Sequence, residues 1–179
     1  MIELCKRRCF FSKCKLYRWL LEFQISDFQK KLIFIGLNPS LTDNEFTDNT
    51  TKKIIKISSF HKYGTLKIIN LFALVSKNPD NLRNHKDPIG FYNNKFIKSS
   101  LRYWSENINC DLWLGWGNKG NLFSRNEEVL KIVAIYKKQK QKRFLDSYEP
   151  LIIRKTKYDN PIHPLYCLDN STFIKLPLT

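Results

Sequence analysis

The sequence predicts an α/β fold: a three-layer α/β/α sandwich around a mainly parallel central sheet of four strands. Three observations lead there. Four short apolar runs of strand character, residues 32–35, 65–72, 111–116 and 151–153, punctuate the chain. Segments of helical period lie between them, and strands that alternate with helices imply crossover connections and a parallel sheet. Three of the runs end in the same kind of residue set: Asn38 and Ser40, then Gly117 and Asn118, then His163. Parallel strands bring such ends to one edge, where open α/β sheets keep their ligand sites.

The elements follow in order. Residues 9–25 mix aromatic and basic side chains and suit an irregular N-terminal hairpin. As a nucleic-acid arm the same stretch would offer Lys13, Lys15 and Arg18 to phosphates and Tyr17 or Trp19 to bases. The first core strand, in KLIFIGLNPS, breaks at Gly36 and Pro39. Thr47 and Asp48 are good N-caps for a helix that buries Ile54, Ile55, Ile57 and Phe60, turns Lys52, Lys53 and Lys56 outward, and ends at Gly64. The second strand carries Asn70 near its end. Residues 73–90 are loop-like, with Asn78-Pro79, Asp87-Pro88 and Gly90, and a loop of that length is commonly a lid or a binding loop.

A helix over 92–107 is predicted by Phe96, Ile97, Leu101 and Trp104 at spacings of three and four. The third strand breaks into Gly117-Asn118-Lys119-Gly120. A helix over 126–137 then runs into the basic stretch KKQKQKR, either a solvated helix end or a phosphate contact. The fourth strand leads to the loop 155–162 and to His163-Pro164-Leu165-Tyr166. With no internal repeat, the expectation is one domain over 1–179, its core about 30–168.

Composition narrows the function classes. The chain has 179 residues, 42% of them hydrophobic, enough for one sizeable core. Lys and Arg number 31 against 16 Asp and Glu, a net charge of +15 that favours polyanionic partners but also fits the solvated lysines of an AT-rich genome. No apolar run approaches the ~20 residues of a membrane span, so a cytoplasmic protein with no membrane partner is expected. Five cysteines, an odd number with no secretory leader, suit reduced thiols. Cys5, Cys9 and Cys14 could offer thiolates to zinc or an iron–sulfur cluster, but their spacing is not that of the usual knuckle, and free cysteines are the better reading.

Two resemblances add to this. GLNPSLTDNEFTDNTTKKI, YGTLKIINLFALVSKNPDNLRNHKDPIG, LGWGNKG and TKYDNPIHPLY look like the successive blocks of the family called domain of unknown function 1643, in order over about residues 16–166. More distantly, Gly36-Leu37-Asn38-Pro39, Leu114-Gly115-Trp116-Gly117 and His163-Pro164-Leu165 resemble the three strand-end turns of the uracil-DNA glycosylase superfamily. That second resemblance implies a uracil-DNA glycosylase-like sheet and hydrolysis of the N-glycosidic bond of a base flipped from the stack. Asn38 would then orient the attacking water and His163 would donate a hydrogen bond to the departing base.

Gly36, Leu37, Pro39, Ser40, Asp48, Asn70, Trp116, Gly117, Asn118 and Pro164 would shape the base pocket. Phe72 would stack on the base, and Leu165 or Tyr166 would fill the gap it leaves. Lys52, Lys53, Lys119, Arg125 and Lys157 would meet the nucleic-acid backbone. The implied partner is nucleic acid, DNA ahead of RNA, bound by a monomer that needs neither cofactor nor metal. Ser40 stands where the superfamily has Tyr or His, and the last loop lacks its serine. A non-catalytic module for nucleic acid or a modified base, and a hydrolase of free nucleosides or nucleotides, remain open beside it.

Overall fold

The strand β3 (Lys31–Gly36) is buried at every position after Lys31, which requires cover on both faces and a strand on either side. It has both. In a computed structural model, which describes residues 6–40 and 48–178, β3 pairs in parallel with β4 (Thr65–Asn70) on one side and with β5 (Cys110–Leu114) on the other. The full order is β1-β2-β4-β3-β5-β6-β7, with β1 (Lys6–Phe11), β2 (Arg18–Gln24), β6 (Leu151–Ile152) and β7 (Ile174–Lys175).

This corrects the predicted fold class. The protein is α/β, but among the described residues its sheet has seven strands and is mixed, not four and mainly parallel. The pairs β1·β2, β2·β4 and β6·β7 are antiparallel. The hairpin expected ahead of the core is part of the sheet, because Leu21 and Phe23 on β2 are completely buried and β2 covers the otherwise open edge of β4. Trp19 stacks on Phe96 with centroids 5.4 Å apart, so the aromatics of this segment pack rather than project.

Helices lie on both faces. The first, α1 (Asn49–Phe60), covers one face with Ile54, Ile55 and Ile57, beside Leu32, Phe34 and Trp113. Asp48 caps it, its Oδ1 accepting from the Thr51 amide at 2.7 Å; Thr47, the other candidate cap, lies outside the described residues together with 41–46. The left-handed residue after α1 is Lys62 (φ 57°), not Gly64. The expected loop contains a short helix, α2 (Asn81–Asn84).

On the opposite face α3 (Asn93–Glu106) and α4 (Arg125–Phe144) bury Ile97, Leu101, Trp104, Val129 and Val133. The basic run at the end of α4 is neither loop nor wholly solvated. Lys140 is completely buried and donates to the carbonyls of Trp104 and Cys110 at 2.9 Å each and of Asn107 at 2.5 Å, satisfying the end of α3. Lys137 pairs with Glu149 at 2.9 Å. Burial pushes the Lys140 pKa down.

Cys14, Cys110 and Cys167 are free thiols, and Cys5 lies outside the described residues. Among the described residues no group of three or more His, Cys, Asp or Glu could hold a metal, and no helix is long and apolar enough to cross a membrane.

Candidate functional site

Because β3 and β4 run in parallel, their carboxyl ends open side by side, and a cavity of about 190 Å³ lies between them and the first turn of α1. At ~30 Å³ per water it has room for about six waters, on the scale of a single nucleobase or sugar ring. The turn after β3 supplies Gly36, Leu37, Asn38 and Ser40; α1 supplies Asp48, Thr50, Thr51 and Ile54; β4 supplies Ile68 and Asn70. Ser76, Lys77 and Pro79 close one side, His163 and Leu165 another, with Phe34 and Arg18 beneath.

Glycine shapes the floor. A Cβ on Gly115 would stand 2.6 Å from the Phe34 ring and one on Gly36 2.9 Å from it, so the ring fits under the cavity only because both neighbours lack a side chain.

Hydrogen bonds orient Asn38, Ser40, Asp48 and His163. Asn38 donates its Nδ2 protons to the carbonyls of Ser76 at 2.9 Å and Pro39 at 3.0 Å, leaving Oδ1 as the atom that can accept from a guest. Ser40 Oγ donates to Asp48 Oδ2 at 2.5 Å, and the same carboxylate takes the Thr51 amide and, at 3.1 Å, the Thr51 hydroxyl. His163 Nδ1 accepts from the Leu165 amide at 3.3 Å, so the neutral ring carries its proton on Nε2. Burial lowers the His163 pKa, and the charge of Asp48 opposes that shift without cancelling it. A neutral imidazole with an outward donor, a carboxylate and an amide acceptor thus converge on one small cavity.

Eight of the residues expected at the base pocket line this space: Gly36, Leu37, Asn38, Ser40, Asp48, Asn70, His163 and Leu165. Pro39 serves it from behind, its carbonyl accepting from both Asn38 and the Ser76 amide. Pro164 is buried at the start of a short 3-10 turn (Pro164–Tyr166), and Tyr166 is 73% exposed outside the cavity.

Trp116 and Phe72 are elsewhere. Both are fully buried on the α3/α4 face, and Trp116 presses on the backbone so closely that a Cβ on Gly120 would lie 2.1 Å from its ring. Gly117 and Asn118 act on the site indirectly. The Gly117 amide donates to Pro161 at 2.9 Å, a Cβ at this left-handed position (φ +72°) would crowd His163 Cβ at 3.2 Å, and Asn118 Oδ1 accepts from the Thr156 hydroxyl at 2.6 Å. The turn after β5 therefore holds the loop that carries His163.

The cations diverge. Arg125 is completely buried, donating to the Leu71 carbonyl at 2.9 Å and to Asn94 at 2.5 Å and pairing with Glu128, so it cannot reach a phosphate. Lys53 pairs with Asp169 at 2.5 Å and Lys119 with Asp80 at 2.8 Å. Lys52 is exposed, and Lys157 lies over the Tyr158 ring. Sequence reading did not single out Phe34, Ser76, Lys77 or Pro79 as pocket residues. The only signal for the last three was the unusual length of their loop.

No curated protein and no solved structure matches the chain, and nothing in the comparisons links it to the uracil-DNA glycosylase superfamily. One family model does match, the one described as "Protein of unknown function (DUF1643)", over residues 18–165, and since that span is most of the chain, the protein belongs to this family.

Proposed function

We propose that this protein hydrolyses the N-glycosidic bond of a nucleobase that has left the stack of a nucleic acid and entered the cavity beside β3. The observation that carries the reading is the convergence of Asn38, Asp48 and His163 on a space of about 190 Å³. Breaking the bond between C1′ and the base nitrogen leaves positive charge on the sugar and negative charge on the base. Asp48 supplies the negative charge that the sugar cation needs and that Asn38, a neutral amide, cannot. Asn38 Oδ1 accepts a proton of the attacking water and aims its oxygen at C1′. As the new C–O bond forms, the water loses its other proton to Asp48, and the base departs as an anion stabilised by His163 Nε2–H. The surplus positive charge of the chain favours the polyanion that presents the base.

The test is incubation of purified protein with uracil-, hydroxymethyluracil- and mismatch-containing oligonucleotides, single- and double-stranded, followed by detection of abasic sites. Asn38→Ala, His163→Ala and Asp48→Asn are each expected to lower the rate roughly 10²- to 10⁴-fold. Asp48→Asn is the most telling, because asparagine still caps α1 through one oxygen while the charge and the acceptor that takes the Ser40 and Thr51 hydroxyls are lost. No abasic product on any of these substrates overturns the reading. Turnover of free nucleosides alone would transfer the same chemistry to a small substrate, and salt-dependent binding without turnover would leave a recognition module.

A further inference from the structure

A second cleft, of about 460 Å³, lies on the far side of the segment that walls the cavity. Pro79 faces the cavity, Arg83 faces the cleft, and Asp80 between them is ion-paired to Lys119 at 2.8 Å. The two spaces are thus neighbours along one edge of the sheet.

We infer that this cleft binds the nucleotide adjacent to the extruded one, its base stacked on Phe123 and its phosphate held by Arg83 and Lys119. Phe123 is 61% exposed, although burying a phenylalanine is favourable. Its backbone and that of Ser124 both take the left-handed conformation, with φ of 55° and 51°, which costs free energy at any residue but glycine. The chain thus holds an aromatic ring outward at the expense of local strain, while the edge of Phe72 supports it from behind with centroids 6.3 Å apart.

The polar groups around the ring are donors. Asn118 Oδ1 is occupied by the Thr156 hydroxyl and Asn121 Oδ1 by the Asn126 amide at 3.1 Å, so both present Nδ2–H groups. With Arg83 and Lys119 beside them, the cleft offers an aromatic face, two amide donors and two cations, against the single charge of Asp80. Its complement is a flat ring bearing carbonyl acceptors next to an anionic phosphate, which describes one nucleotide of a single strand. This inference rests on the base-excision reading for the order of the two sites, but binding in the cleft needs no turnover.

The experiment is fluorescence anisotropy of a short labelled oligothymidylate with the full chain, across a salt series. Phe123→Ala is expected to weaken binding roughly five- to hundredfold, the range of one lost base–aromatic stack, and Phe123→Tyr to restore it. Arg83→Ala and Lys119→Ala should each reduce the slope of log affinity against log salt by about one contact. Unchanged binding in Phe123→Ala, or no binding of the wild-type protein at low salt, overturns the proposal. Binding that depends on Phe123 but not on Asn38, in a protein that excises nothing, keeps this cleft and rejects the excision reading. Excision that is indifferent to Phe123→Ala, with binding equally indifferent, does the reverse.

Discussion

The turns after β3 and β5 leave neighbouring parallel strands in the same direction, both begin with glycine, and both place an apolar residue and an asparagine soon after. After β3, Leu37 points into the α3/α4 core, Asn38 is tied back by Ser76, and the opposite face stays open as a cavity. After β5, Trp116 enters the same core and fills it, and the rest of the turn is spent holding the 155–163 loop. Leu37 reaches both the core and the rim of the cavity, whereas Trp116 lies wholly in the core, packed so closely that Gly120 must lack a Cβ, and makes its turn a plug there.

The largest effect should come from removing the plug. Trp116→Ala is expected to lower stability by about 4 kcal/mol in urea titration, the usual cost of deleting a fully buried large aromatic side chain. Molecules that remain folded should bind a cavity ligand as before. A variant of nearly wild-type stability that had lost only binding would return Trp116 to the pocket and dissolve the contrast.

Arg125 tests the same side of the sheet by charge. Arg125→Met keeps the aliphatic bulk but removes the donors to Leu71 and Asn94, for an expected loss of about 2 to 3 kcal/mol. The salt dependence of oligonucleotide binding should not change, because a guanidinium with no exposure neutralises no phosphate. A shallower salt slope in this variant would show that the arginine reaches the ligand after all.

These two residues also mark what the sequence could and could not convey. Apolar runs and their glycine or proline breaks are local signals, and the ends of the parallel strands were legible from them. Whether a residue just beyond a strand faces one side of the sheet or the other depends on a parity of one residue, and Trp116 and Phe72 fall on the side away from the cavity. Arg125 read as a surface cation because nothing in its neighbourhood reveals that its guanidinium donates to the Leu71 carbonyl, 54 residues away. The membership of β1 and β2 in the sheet is likewise set by distant pairing with β4, and β7, two residues long and exposed, has no pattern to detect. The loop at 73–90 was conspicuous only for its length, yet Ser76 fixes Asn38 and Pro79 closes the cavity.

The smallest effect concerns pH and belongs to the open side. His163 is held neutral by burial, so its pKa in the folded protein lies below the ordinary value of about 6.5 that it regains on unfolding. Between those two values the unfolded chain binds more protons than the folded one. Stability therefore rises with pH through that window, is fully present above about 6.5, and is lost as pH falls through the folded value. Asp80, Glu128 and Asp169, whose pKa values are lowered by their cationic partners, change stability in the same direction, but only in the more acidic range of carboxylates. Comparing Tm of the wild type with that of His163→Asn from neutral pH down to pH 5 isolates the histidine. The wild type should lose ground to the variant only as pH drops below about 6.5. Parallel curves would mean that the ring protonates freely in the folded state, and the neutral Nε2 donor assigned to the cavity would have to be given up.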